Sequence, residues 1–370
     1  MLNFGYLNHI KLMKKRIAID IFSGAGGLSI GAEWAGIEPI MAVESDLSAA
    51  ETYIKNNPKI KTMLRNDIRD IDPLKYSIEN PFIIFGGPPC QGFSCANTKT
   101  RNINNDKNSL FTEYLRFVQL LKPEWFLFEN VKGFKTFDGG NFVIDVEKKL
   151  EQLGYQISSG ILCASDYGVP QKRYRFFIVG HKKENGGIKF DFNEIPKKET
   201  VTVKDALSDL PSLKNGDKID SSDYKNTANN EFVKSMRGSL NLVTQNFVSK
   251  NKDYVIERYK NIKAGENWRA IEDDLHNYKS TEHMHSGIYR RLNPDEPSCT
   301  IANYRKSMLI HPFEDRGLSL REAARLQSFP DTYIFCGNIG SMQQQVGNAV
   351  PPLLAKAIFE QIIKLDDSSI

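Results

Sequence analysis

Five cysteines stand in the chain, Cys90, Cys95, Cys163, Cys299 and Cys336, and no two are spaced as CxxC. An odd, unclustered set argues against a disulfide framework or a cysteine-built zinc site and for a reducing compartment. Histidine is scarce, six in all. His283 and His285 lack an acidic or cysteine partner group, so no metal centre is expected. No apolar run is long enough to span a bilayer. MLNFGYLNHIKLMKKR has neither the apolar core nor the cleavage site of a signal peptide. A cytoplasmic protein without membrane attachment is expected, and residues 1–12, ahead of Met13, read as a short extension. No internal repeat or low-complexity run occurs. Excess charge is also lacking: Lys+Arg 49 against Asp+Glu 45 gives +4, with a pI of about 8.6. That permits a nucleic-acid-binding face without demanding one.

What is present is globular. The 370 residues are 40% hydrophobic and 25% charged, enough for two lobes or a large domain with an insertion. Apolar runs at 17–22, 39–43, 82–85, 125–128, 155–162 and 175–180 read as strands. Helical spacing fills 28–34, 46–56, 110–121 and 142–153 between them. Strands alternating with helices predict an α/β fold, a mostly parallel sheet covered on both faces. From about 184 to 285 the pattern degrades into polar, Asn- and Lys-rich chain, and PSLKNGDKIDSSDYKNTANN reads as loop. Order returns at 288–301. Ser319 to Glu322 form a capping box for a helix over 320–328, and a last helix fits 352–364.

Five constellations carry chemistry. The first is Asp20-Ile21-Phe22-Ser23-Gly24-Ala25-Gly26-Gly27, a glycine turn between strand and helix, with Glu44 ending the next strand to receive ribose hydroxyls. Ser29 stands where a dinucleotide fingerprint has its third glycine, so a nucleoside without pyrophosphate fits better than NAD. Asp67 is a candidate for an adenine amino group, and equally for a surface acid or helix cap. The second is Gly86-Gly87-Pro88-Pro89-Cys90-Gln91, which sets a cysteine at a strand end as a nucleophile. The third, Phe128-Glu129-Asn130-Val131, offers a carboxyl at another strand end for proton donation to a ring nitrogen. The fourth is Gln171-Lys172-Arg173-Tyr174-Arg175. In a strand Arg173 and Arg175 would share a side and bracket an anion, a carbonyl oxygen or a thiolate. The fifth is Gln345-Val346-Gly347-Asn348-Ala349-Val350-Pro351-Pro352, which alone would be a helix N-terminal turn.

Taken in this order, and with RxLxPDEPSxT ending at Thr300, these motifs resemble the cytosine-C5 DNA methyltransferases of bacterial restriction-modification type over about 13–183 and 287–365. The resemblance implies a Rossmann-like S-adenosylmethionine-dependent fold with a second, smaller DNA-recognition domain. It implies a catalytic domain over 13–183 plus 341–370, a target-recognition domain over 184–318 and a hinge over 319–340. It implies Cys90 as nucleophile, Glu129 as the acid at cytosine N3, Arg175 on the base carbonyl and Arg173 in support. Phe22, Gly24, Gly26, Gly27, Leu28, Glu44, Ser45, Asp67, Ile68, Pro89, Leu110 and Asn348 would hold S-adenosyl-L-methionine. Ser45 departs from the large residue that some members use to stack adenine. The target base would be flipped out of duplex DNA. Residues 92–109 would form a closing lid. Lys182, Lys183, Lys197, Lys198, Arg237, Arg258, Lys260, Lys263 and Arg269 would contact phosphates or bases. The expected partners are double-stranded DNA and, functionally, a cognate restriction endonuclease. A monomer associated with the nucleoid is expected. An RNA cytosine methyltransferase, an inactive DNA-binding subunit and a nicotinamide oxidoreductase are the rival readings.

Overall fold

The computed structural model describes residues 15–89, 109–278 and 280–369. Among them, seven strands form the main sheet: β1 Ile17–Ile21, β2 Glu38–Val43, β3 Thr62–Leu64, β4 Ile83–Gly86, β5 Trp125–Val131, β6 Tyr155–Cys163 and β7 Tyr174–Lys182. Their order is β3-β2-β1-β4-β5-β7-β6. All pairings among the first five are parallel, while β7 runs antiparallel to both of its neighbours. The helices α1 Gly27–Trp34, α2 Leu47–Asn56, α3 Ser109–Leu121 and α4 Asn141–Gln152 provide crossovers.

β4 and the first four residues of β5, at the centre of the sheet, are apolar at every position because both faces are covered, whereas edge strand β6 carries Gln156, Ser158 and Ser159. Ile83, Phe85, Trp125, Leu127, Phe177 and Val179 face one cluster. The alternating residues Ile84, Phe126, Phe128, Phe176 and Ile178 face the other, with Tyr114 and Phe117 of α3. Each large side chain so buried contributes roughly 1.5–3 kcal/mol. The last helix, α10 Pro352–Ser368, closes the first face. Glycine makes that approach possible: a Cβ on Gly27 would lie 2.2 Å from the Val350 carbonyl oxygen, and one on Gly31 would lie 2.4 Å from Ala355 Cβ. The 349–352 segment therefore lies directly against the glycine turn.

The stretch expected to be irregular is more ordered than its composition suggests. It contains α5 Val203–Leu207, α6 Glu231–Arg237 and α7 Asp253–Lys260. Two strands, β8 Lys218–Asp223 and β9 Leu242–Phe247, pair antiparallel, and β8 falls inside the segment read as loop. Most of β8 is exposed, so its KIDSSD sequence has almost no apolar alternation to detect. The second lobe closes on α8 Leu320–Leu326, whose Ser319–Glu322 capping box forms as read and whose seven residues are all buried. This helix lies within the segment expected as a hinge. Helix α9 Ile339–Asn348 then returns the chain to the sheet.

Candidate active site

Parallel strands bring their carboxyl ends to one edge. Asp67 after β3, Glu44 after β2, the glycine turn after β1 and Pro88-Pro89 after β4 therefore stand side by side, in the order of the sheet. Because β7 runs the opposite way, its first residues reach the same edge, and Arg175 pairs in register with Val131.

The glycine turn is bent by positive φ at Phe22 (61°), Gly24 (53°) and Gly26 (82°). Glu44 holds it from the side: its carboxylate accepts the Gly24 N–H at 2.8 Å and the Asp46 N–H at 2.7 Å. Burial raises the pKa of Glu44, and these amide bonds oppose the rise. A Cβ built on Gly24 meets nothing within 4 Å, so the space before the turn is open. Phe22 and Leu110, both partly buried, join buried Ile68 in the cluster on the α3 face. Leu28 is buried, and Ser45 is exposed. A nucleoside-bearing group fits this setting: open backbone at the turn, a carboxylate beside it, and apolar walls. Asp67 is engaged otherwise, since it caps a single turn at Ile68–Asp70 and pairs with Arg69 at 2.6 Å, which lowers its pKa to about 2. Asn348 is the last residue of α9 rather than part of a helix start. It is exposed, and its side-chain oxygen accepts from Gln344 at 2.6 Å.

Glu129 and Arg175 meet at 2.8 Å, and both are largely buried, with side-chain exposures of 13% and 11%. Burial raises the Glu129 pKa, against the pull of Arg175 and then Arg173. Burial likewise lowers that of Arg175. The carboxyl is thus held closer to protonation than a surface glutamate, beside a guanidinium that fixes its orientation. Gly87 makes room for it, because a Cβ there would lie 2.4 Å from Glu129 Oε2. Asn130 Nδ2 donates to the Pro88 carbonyl at 3.3 Å and ties the end of β4 to β5. Cys90, expected to follow on that loop, lies outside the described residues, as do Cys95 and nearly all of the expected lid.

Arg173 and Arg175 are held differently, though both act on the Glu129 carboxylate. Arg173 precedes β7 and is fully buried, donating to the carbonyls of Ile301 (2.7 Å), Gly347 (2.8 Å) and Asn348 (3.4 Å). Gln171 does similar work: it donates to the Leu326 carbonyl and to Gln327, and accepts from the Ile301 N–H. Thr300 donates to the Lys172 carbonyl at 2.8 Å. The QxRxR and PSxT segments are thereby joined to each other and to the end of α9. The roles of Gly87, Asn130 and Gln171 were missed from sequence, since all three are read only through residues far away in the chain.

Two expected DNA contacts turn inward. Arg258 is buried and donates to Tyr289 and Asn277 at 3.1 and 2.6 Å. Arg237 lies over the Tyr224 ring and donates to the carbonyls of Leu240 and Asn226. Among the described residues, no helix is long and apolar enough to cross a membrane, and no group of three metal-ligating side chains occurs.

The doubly covered sheet, the open glycine turn and the carboxyl–guanidinium pair together have the form of an α/β enzyme site. The chain matches the C-5 cytosine-specific DNA methylase family over residues 17–364 and belongs to that family, the DNA (cytosine-5-)-methyltransferases. It is 36% identical to the type II methyltransferase M.DdeI of Desulfomicrobium norvegicum, over 93% of this chain and 88% of that one. It is 34% identical to M1.HphI of Haemophilus parahaemolyticus, over 94% and 87%. In three dimensions it is similar to a prophage-encoded chain of E. coli described as a DNA modification methyltransferase: TM-score 0.78, 28% identity, 95% of this chain and 99% of that one. The Dnmt2 methyltransferase of S. pombe shares the fold at TM-score 0.62 and 16% identity, with 95% and 98% covered. Membership implies DNA as substrate and a methyl donor of the S-adenosylmethionine type.

Proposed function

We propose that this chain methylates C5 of a cytosine flipped out of duplex DNA, with Cys90 as the attacking group. The observation that carries the reading is the buried Glu129–Arg175 pair, one strand away from Pro88-Pro89, which Cys90 follows in the chain. Cytosine C5 is a poor nucleophile. Addition of the Cys90 thiolate to C6 pushes electrons through the ring toward N3 and leaves C5 enamine-like. Glu129 donates a proton or a hydrogen bond at N3 as charge builds there, a task suited to a carboxyl whose pKa is raised by burial. Arg175 holds that carboxyl and reaches the base carbonyl, while Arg173 braces the start of β7. S-adenosyl-L-methionine, when bound, supplies an electrophilic methyl group. Phe22, Gly24, Gly26, Gly27, Leu28, Glu44, Ile68, Pro89, Leu110 and Asn348 would hold it, with Ser45 and Asp67 at the rim. Loss of the C5 proton to water then returns the electrons that expel the cysteine.

Residues 184–318 are the recognition region, 319–340 the joint, and 13–183 with 341–370 the catalytic part. The chain works as a monomer protecting host DNA alongside a cognate endonuclease, a role supported by relatives named as type II methyltransferases.

DNA carrying 5-fluorocytosine at the target tests the chemistry. Fluorine cannot leave C5 as a cation, so elimination stalls with the Cys90–C6 bond intact. A denaturation-resistant adduct that requires the donor and maps to Pro88-Pro89-Cys90-Gln91 is expected, and Cys90→Ser abolishes both adduct and turnover. An adduct on Cys95, or turnover in Cys90→Ser, overturns the assignment.

A further inference from the structure

Behind the glycine turn lies a buried polar cluster that the chemistry above does not use. The Ser29 hydroxyl donates to Asp20 at 2.6 Å and meets the Tyr53 hydroxyl at 2.7 Å, all three groups being fully buried. On the turn itself, the Ala25 carbonyl accepts the hydroxyl of Tyr333, a residue more than 300 positions away. That hydroxyl presses on the turn: a Cβ on Gly26 would lie 2.9 Å from it.

Tyr333 sits on a short segment, 331–336, gripped from two sides. Toward the sheet, Asn56 of α2 pairs its amide with both backbone groups of Ile334 at 2.8 Å, and the Thr52 hydroxyl accepts the Cys336 N–H at 2.7 Å. Toward the second lobe, Gln245 of β9 pairs its amide with the backbone of Phe335, at 2.8 and 3.0 Å. Gln245 itself has a left-handed φ of 58°, a strained state for a residue with a Cβ. Arg321 bridges the Thr244 carbonyl at 3.1 Å to the Tyr333 carbonyl at 2.8 Å. One clip thus joins the proposed recognition region to the turn that faces the donor.

We propose that Tyr333 is a positioning residue for the methyl donor, holding the Gly24–Gly27 turn open, and that the 331–336 clip makes donor affinity depend on β9. The proposal rests on the glycine turn being the donor site. The test measures S-adenosylhomocysteine binding to the full chain by calorimetry, without DNA. Tyr333→Phe keeps the ring against Phe329 and Phe335, at centroid distances of 5.1 and 5.5 Å, and removes only the hydroxyl. Loss of one buried hydrogen bond should weaken binding about five- to thirty-fold, with kcat at saturating donor within about twofold of wild type. Gln245→Leu should weaken binding about two- to five-fold, measured well below its melting temperature, which the loss of two buried hydrogen bonds lowers. Glu44→Gln serves as the control. If Glu44→Gln loses affinity and Tyr333→Phe does not, the positioning role is overturned. If Gln245→Leu alone is silent, the link to β9 is overturned. If Glu44→Gln itself binds normally, the fault lies in the donor-site reading.

Discussion

In the sheet lobe few charges go inside, Asp20, Arg173 and the Arg16–Asp366 pair among them, while Glu44, Glu129 and Arg175 stand at the carboxyl edge. In the second lobe charge runs through the interior. Arg316 pairs with Glu322 at 2.7 Å, both about 2% exposed or less. Arg325 pairs with Asp209 at 2.7 Å and with Asp331, all fully buried. Tyr224 donates to Asp331 at 2.7 Å, and buried Arg291 donates to the carbonyls of Tyr259, Ile262, His311 and Glu314. The sheet gets its stability from apolar layers and can leave its charges free for chemistry. The second lobe has few apolar positions in its loops, so guanidiniums knit them together through backbone carbonyls. Such groups fix one arrangement by leaving unpaired charge in any other. On the proposed mechanism the same residue type plays opposite parts: Arg175 serves the reaction, whereas Arg325 serves the fold.

This contrast predicts that charge removal costs rate in one lobe and stability in the other. The largest effect should be that of Glu129→Gln. The amide still offers a hydrogen bond but supplies no proton to N3, so single-turnover methylation should slow about 10²–10⁴-fold while melting temperature holds. An unchanged rate would remove Glu129 from the mechanism. Gly87→Ala should come next. Its methyl would displace the Glu129 carboxylate, and misplacement of that order costs about 10²-fold in rate; S-adenosylhomocysteine affinity should be kept.

Glu322→Gln should spare the chemistry of the folded protein but destabilise it by about 3–5 kcal/mol, read by denaturant unfolding, because Arg316 is left buried without its anion. Burial pushes the Glu322 pKa up, but Arg316, His311 and the Ser319 amide pull it down to about 2. A folded pKa below the unfolded value of roughly 4.3 means stability present above that pH and lost as the pH falls toward 2. The variant should lose this part of the acid transition. The smallest effect should be that of Lys263→Ala in the proposed recognition region: slightly weaker binding to all DNA sequences and a salt slope lower by about 0.9. A change of methylated site in that variant would make Lys263 a base reader instead.

How much could be read in advance follows the same division. IAIDIF, FIIF and WFLF read as strands because each is a short apolar run stopped by glycine, proline or a carboxylate. Once the strands are parallel, their functional ends must share an edge. Lys218–Asp223 could not be read as a strand, because its pairing with Leu242–Phe247 rests on backbone hydrogen bonds and not on an apolar pattern. Arg258 and Arg237 read as DNA contacts because a sequence does not disclose whether a cation ends in solvent or on a carbonyl.

The sequence by itself determined the class of fold, the glycine turn and the Glu129 strand end, since each is a local run whose residue types already limit what the backbone can do. Only the tertiary structure decided that Gly87 clears the space for Glu129, that Arg173 ends on the Ile301 and Gly347 carbonyls, and that Tyr333 braces Ala25 across 308 positions. Those contacts form between segments far apart in the chain, and no local preference of either partner specifies where the other will be.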